Sequence, residues 1–112
     1  MQFEYVCIFE DDAYPCDSIC EKLHIYLANI PDNATMLKLG VLDVISKQYA
    51  KCINDIYYAN LLTWGTHAYI VFKHYYAEYL KLFSYDIVCD HSAFNSNEMN
   101  LCCKEQLFIQ YN

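Results

Sequence analysis

The sequence predicts a small α/β domain, and three observations carry that prediction. Short runs such as FEYVCIF and TMLKL are rich in β-branched and aromatic residues, the composition of strands. Between them Ile19, Leu23, Tyr26, Leu27 and Ile30 recur at helical spacing. Strand-like and helix-like stretches then keep alternating along the chain, which argues α/β. The chain has 112 residues, 56% hydrophobic, with two Gly and two Pro. That is one domain, residues 1–112, able to bury a real core and holding no flexible linker.

Each element has its own signal. Residues 3–9 read as a strand that ends at three consecutive acids, Glu10, Asp11 and Asp12. Pro15 to Ser18 reads as a turn into a helix, with Asp17 or Ser18 as N-cap and Glu21 in capping-box position to Ser18. Pro31-Asp32-Asn33 stops that helix. Residues 35–39 form a second strand before Gly40, and 41–56 fit either a loop covering a site or a partial helix. Tyr57 to Trp64 and Thr66 to Phe72 are strand-like around Gly65. Residues 73–83 place Tyr76, Leu80 and Phe83 on one helical stripe. Residues 86–89 are a short apolar strand or bend ending at Asp90-His91, residues 92–103 read as a polar loop, and 107–111 as a last strand. There is no internal repeat and no low-complexity tract.

Charge narrows the partners. The formal net charge is -7, and all 7 basic residues are Lys. Phosphate-backbone binding needs a basic stripe, so nucleic acid is excluded, and no polybasic patch invites a membrane. A bound diphosphate would find no Arg fork and would need a metal ion to neutralise it. The 7 Cys include an adjacent pair, Cys102-Cys103, and form no CxxC. That pattern reads as reduced thiols in a reducing compartment, with Cys7 and Cys89 acting as small buried hydrophobes. No signal peptide and no membrane-length apolar run is visible, so the expected location is cytoplasmic, free or peripheral to a membrane.

Three constellations could carry chemistry. The first is the acidic triplet in VCIFEDDAYP. Ligands of open α/β sheets sit beyond the carboxyl ends of strands, where these acids stand. In an extended chain Glu10 and Asp12 would face one way and Asp11 the other, giving a hard-oxygen pair for Mg²⁺ or Mn²⁺. The alternative is a solvated acidic turn. The second is Trp64-Gly65, which could set an indole at the rim of a sugar cleft or simply be a core Trp with a turn glycine. His67 reads as a satisfied polar neighbour. The third is Asp90-His91: Asp90 could serve as a general base and His91 could complete a metal shell, or both could lie in a surface loop. Zinc ligation by Cys89, His91, Cys102 and Cys103 matches no finger or ribbon spacing.

The order of these pieces resembles glycosyltransferase family 25, the lipooligosaccharide and collagen galactosyltransferases. An apolar strand runs into the triplet in VCIFEDDAYP; WGTHAYIVFKHYYAEYLKLF joins a WG strand to a helix; DIVCD ends an apolar run in Asp; LFIQY is a last strand carrying a Gln. The resemblance covers residues 5–111. It implies an incomplete GT-A-like nucleotide-diphospho-sugar transferase sheet with flanking helices. It implies transfer of a hexose, galactose above all, from a UDP-sugar to a glycan or protein-linked acceptor, with Mn²⁺ or Mg²⁺, as in lipopolysaccharide biosynthesis. By the same resemblance Glu10 and Asp12 hold the metal and Asp11 the donor. Asp90 is the base, and Trp64, Gly65 and His91 belong to the acceptor and sugar cleft.

One departure bears on activity. Family members carry a βαβ segment before the triplet that holds the uridine, and here only a few residues precede it. The expectation is a fragment, a truncated gene, or a non-catalytic remnant acting as a binding module, with an open sheet edge where the earlier strands would pair.

Overall fold

The apolar run before the triplet forms strand β1 (Tyr5–Phe9), in a computed structural model that describes residues 4–41, 43–44, 52–59, 63–65, 67–81 and 99–110. The chain turns through the acids into β2 (Ala13–Pro15), then enters helix α1 (Ile19–Ala28). Strand β3 (Met36–Lys38) follows, then the short β4 (Asp43–Val44), β5 (Tyr57–Ala59) and β6 (Thr63–Trp64). Strand β7 (Ala68–Phe72) leads through a 3₁₀ turn, Lys73–Tyr75, into helix α2 (Tyr76–Lys81). Strands β8 (Asn100–Cys103) and β9 (Phe108–Gln110) complete the described chain.

The result is a mixed α/β fold. Its main sheet has five strands in the order β1-β7-β3-β8-β5. Only the β3–β8 pair is parallel; β1–β7, β3–β7 and β5–β8 are antiparallel. Two ribbons, β2–β9 and β4–β6, stand outside it. Among the described residues β1 is an edge strand, paired with β7 alone.

Alternation along the strands builds two cores. Leu37, Ile70, Phe72 and Leu101 point to one face, where Tyr26 and Ile30 from α1 and its following turn meet them. Met36, Tyr69 and Val71 point to the other, under Tyr75, Tyr76 and Tyr79. A sheet covered on both faces needs continuous apolar strands, which is why AYIVF is buried at every position.

Local signals held in part. Helix α1 starts where the sequence places it, but Ser18 sits in the left-handed region (φ 59°, ψ 33°) and makes no side-chain cap, so the expected capping box does not form. Its carbonyl still accepts from Lys22 N–H at 3.1 Å. Asn29 ends the helix before Pro31 does: its Nδ2 donates to the Ile25 carbonyl at 2.8 Å. The segment 73–83 begins as a 3₁₀ turn, and Tyr75 is its buried residue, while Leu80 is 68% exposed. Of the expected stripe, Tyr76 packs on the second core, Leu80 lines an open groove, and Phe83 lies outside the described residues.

The expected polar loop over 92–103 is corrected at its end, because Asn100–Cys103 is a fully buried strand. Asn100 lies buried against the Thr35 hydroxyl, which donates to its Oδ1. Cys102 and Cys103 pack as small hydrophobes, so a pair that looked polar fills the core.

Burial lifts the Cys102 thiol from 9.0 to about 12, and lifts Cys103 well above 9.0. It also raises the Tyr26 hydroxyl from 10.0 to about 12. In the unfolded chain these groups lose protons sooner than in the native state, so their stabilisation is complete below pH 9 and is lost as pH climbs towards 12. Urea unfolding under reducing conditions should show the midpoint falling steadily from pH 8.5 to pH 11, with a shallower fall in Cys102→Ala. A flat midpoint would contradict the burial of these groups.

Candidate functional site

The acids stand beyond the carboxyl end of β1, where sequence reasoning put them. Their geometry differs from the extended strand assumed there. Ala13 N–H donates to the Glu10 carbonyl at 3.1 Å, closing a turn with Asp11 and Asp12 at its centre. A turn abolishes the simple alternation, so Glu10 and Asp12 are not placed side by side by strand geometry. Glu10 and Asp11 are exposed, and Asp12 is half-buried. The reason is the onward path: the chain reverses to pair β2 with β9, carrying Asp12 inward.

That reversal brings distant motifs together. Gln110 Nε2 donates to Asp12 Oδ2 at 2.8 Å, across a separation of 98 residues. The other oxygen, Asp12 Oδ1, is buried with no hydrogen-bond partner among the described residues. Glu10 N–H donates to the His67 carbonyl at 2.8 Å, tying the turn to the start of β7. His67 is 1% exposed, and its Nε2 donates to the Phe108 carbonyl at 3.0 Å. His67 Nδ1 is buried without a hydrogen-bond partner among the described residues. His67 is thus the polar neighbour the sequence suggested, with one nitrogen satisfied.

Two glycines make room at this end of the sheet. Gly65 is buried with φ 115°, a conformation side chains rarely adopt. It turns the chain from β6 towards His67. At Gly40 a Cβ would fall on the Phe108 carbonyl oxygen and 2.6 Å from His67 Nε2. Trp64 is placed by its backbone, which pairs with Asp43, and its side chain lies outside what the structure describes. Asp90 and His91 lie outside the described residues.

The site therefore unites the triplet, His67 and the Gln of LFIQY. Sequence reasoning missed Gln110 and Gly40 as parts of it. The Gln stood in the motif, but nothing local says that it reaches Asp12. Gly40 was visible as a glycine after a strand, without a sign of what it approaches.

The donors are hard oxygens. Among the described residues no three His, Cys, Asp or Glu side chains converge on a common point. Magnesium-type sites are often completed by one or two carboxylates with substrate phosphates supplying the rest, and the unpartnered Asp12 Oδ1 fits that pattern. Asp12 is the group that could hold such an ion, with Glu10 two residues before it in the same turn. No protein family, no curated protein and no solved structure matches the chain. Among the described residues no helix is long and apolar enough to cross a membrane.

Two substitutions test this arrangement. Gly40→Ala drives a methyl into backbone that cannot swing aside, and should lower stability by about 2 kcal/mol or more in denaturant unfolding. Gln110→Leu leaves Asp12 Oδ2 without its donor and should cost about 1 kcal/mol. Wild-type midpoints in either variant would mean the β2–β9 ribbon is not seated as described.

Proposed function

We propose that the chain is the part of a family 25-like glycosyltransferase from the acidic triplet onward. Its chemistry would be transfer of a hexose, with galactose the first candidate, from a UDP-sugar to a hydroxyl of a glycan or protein-linked acceptor. The single observation that supports this reading most is the Asp12 carboxylate. It stands past the carboxyl end of a sheet strand, held on one oxygen by Gln110 and left unpaired on the other. Two pieces of the resemblance, the triplet and the terminal Gln, meet there.

Within this reading Glu10 and Asp12 hold Mn²⁺ or Mg²⁺, and the exposed Asp11 faces the donor. The metal, when bound, neutralises the departing diphosphate in a chain with no Arg. Gln110 fixes one Asp12 oxygen so that the other stays directed. Trp64, Gly65 and His91 belong to the sugar and acceptor cleft. Asp90 is the base that takes the acceptor hydroxyl proton.

Calorimetric titration of UDP in the presence of Mn²⁺ tests the donor half directly. Binding should require the metal and disappear in Glu10→Gln/Asp12→Asn, both shape-conserving changes. Asp90→Asn should leave that binding intact and abolish sugar transfer. A well-folded protein that shows no metal-dependent UDP binding would overturn the reading.

A further inference from the structure

The pairing of β1 fixes which of its backbone groups face outward. Glu10 N–H bonds the His67 carbonyl and Lys73 N–H bonds the Glu4 carbonyl, at 2.8 and 3.0 Å. Hydrogen-bonded pairs alternate along an antiparallel ladder, so Glu4, Val6, Ile8 and Glu10 turn their backbone groups towards β7. Tyr5, Cys7 and Phe9 therefore turn theirs away from it. The side chains along this strand are apolar and open: Tyr5, Val6 and Phe9 are 39, 47 and 49% exposed. Beside them runs a groove of about 230 Å³, lined by Val6, Ile8, Val71, Tyr76, Tyr79 and Leu80. Edge strands are commonly blunted with Lys, Pro or a bulge, and YVCIF has none of these.

Charge selects the occupant. The carboxyl end of β1 runs into Glu10 and Asp11, on a chain of net charge -7. At the amino end the Glu4 carboxylate is paired with Lys73 at 3.0 Å, so the excess negative charge lies at the carboxyl end. A second copy fits poorly, since an antiparallel pairing centred on Cys7 would set the Glu4–Lys73 pair, and not a free cation, opposite Glu10 at each end. We infer that β1 is a docking edge for an extended apolar segment of another protein, added antiparallel, with lysine or arginine at its amino end lying against the acidic turn. Main-chain bonds to Tyr5, Cys7 and Phe9 supply the register, an apolar side chain enters the groove, and the cations choose the orientation. The cations share the acidic turn with the donor site proposed above, but the strand edge does not, and because the test reads neither UDP nor metal each reading can fail without the other.

The probe is a labelled synthetic peptide of alternating Val and Thr with a Lys pair at its amino end, followed by fluorescence anisotropy. It should bind about tenfold more tightly than the same peptide with a Glu pair, and added salt should narrow the difference. Tyr5→Pro removes an outward N–H and spares the β7 ladder, so it should weaken binding by roughly fivefold or more, whereas Tyr5→Ala keeps the N–H and much of the affinity. Amide exchange on the unaltered protein gives a readout free of folding defects. On peptide addition Tyr5, Cys7 and Phe9 should gain protection, with Val6 and Ile8 unchanged. Equal binding of the two peptides, protection elsewhere, or a dimer in sedimentation that Tyr5→Pro dissolves would each overturn the assignment.

Discussion

At the carboxyl end of β3 the Leu39 carbonyl accepts two backbone donors, Leu107 N–H at 2.8 Å and Phe108 N–H at 3.2 Å. Leu39 N–H in turn donates to the Ala68 carbonyl at 3.0 Å. One residue therefore joins the central sheet to the outer β2–β9 ribbon. The Phe108 carbonyl, pressed towards the space that Gly40 leaves vacant, receives His67 Nε2. Phe9 packs on the Phe108 ring with centroids 4.9 Å apart, so apolar contact closes the same junction from outside. Without this seam the ribbon would have no fixed position, and Asp12 would be one more carboxylate on a surface turn.

The sheet and the site divide the physical work. Both faces of β3 and β7 are buried, so side-chain packing specifies those strands. The site is built at their margin, where packing gives way to single hydrogen bonds from His67, Gln110 and the turn. The triplet accordingly splits in role: Glu10 and Asp11 stay in solvent, where repulsion between like charges is screened. Asp12 is drawn inward and receives a partner on one oxygen. A solvated acidic turn and an oxygen-rich ligand site are thus two parts of one feature.

Sequence made legible whatever local chemistry decides. The β-branched runs of β1, β3 and β7, the period of α1 and the acids at a strand's end all follow from composition and spacing. What failed depended on contacts far along the chain. Asn100 to Cys103 looked like loop because Asn and paired Cys are poor strand markers, yet a Thr35 hydroxyl and a two-sided core make them interior. The capping box at Ser18 was undone by a left-handed backbone that composition does not announce. The alternation of Glu10 and Asp12 assumed an extended chain, whereas ribbon pairing requires a turn. Of the site, the triplet and His67 could be picked out, but the Asp12–Gln110 bond joins residues whose neighbours give no sign of each other.

The long span between Asp12 and Gln110 has a consequence for how the molecule is made. A ribosome releases Asp12 and the β2 segment early, and the strand that seats them emerges 98 residues later. Local α1 can form at once, but β1 must wait for β7, and β2 for β9. Such non-local pairing slows folding, since loop closure must precede its reward. During that interval YVCIF is an unpaired apolar strand on a nascent chain. Glu4 before it and the acidic triplet after it would then be its main protection against sticking to its neighbours.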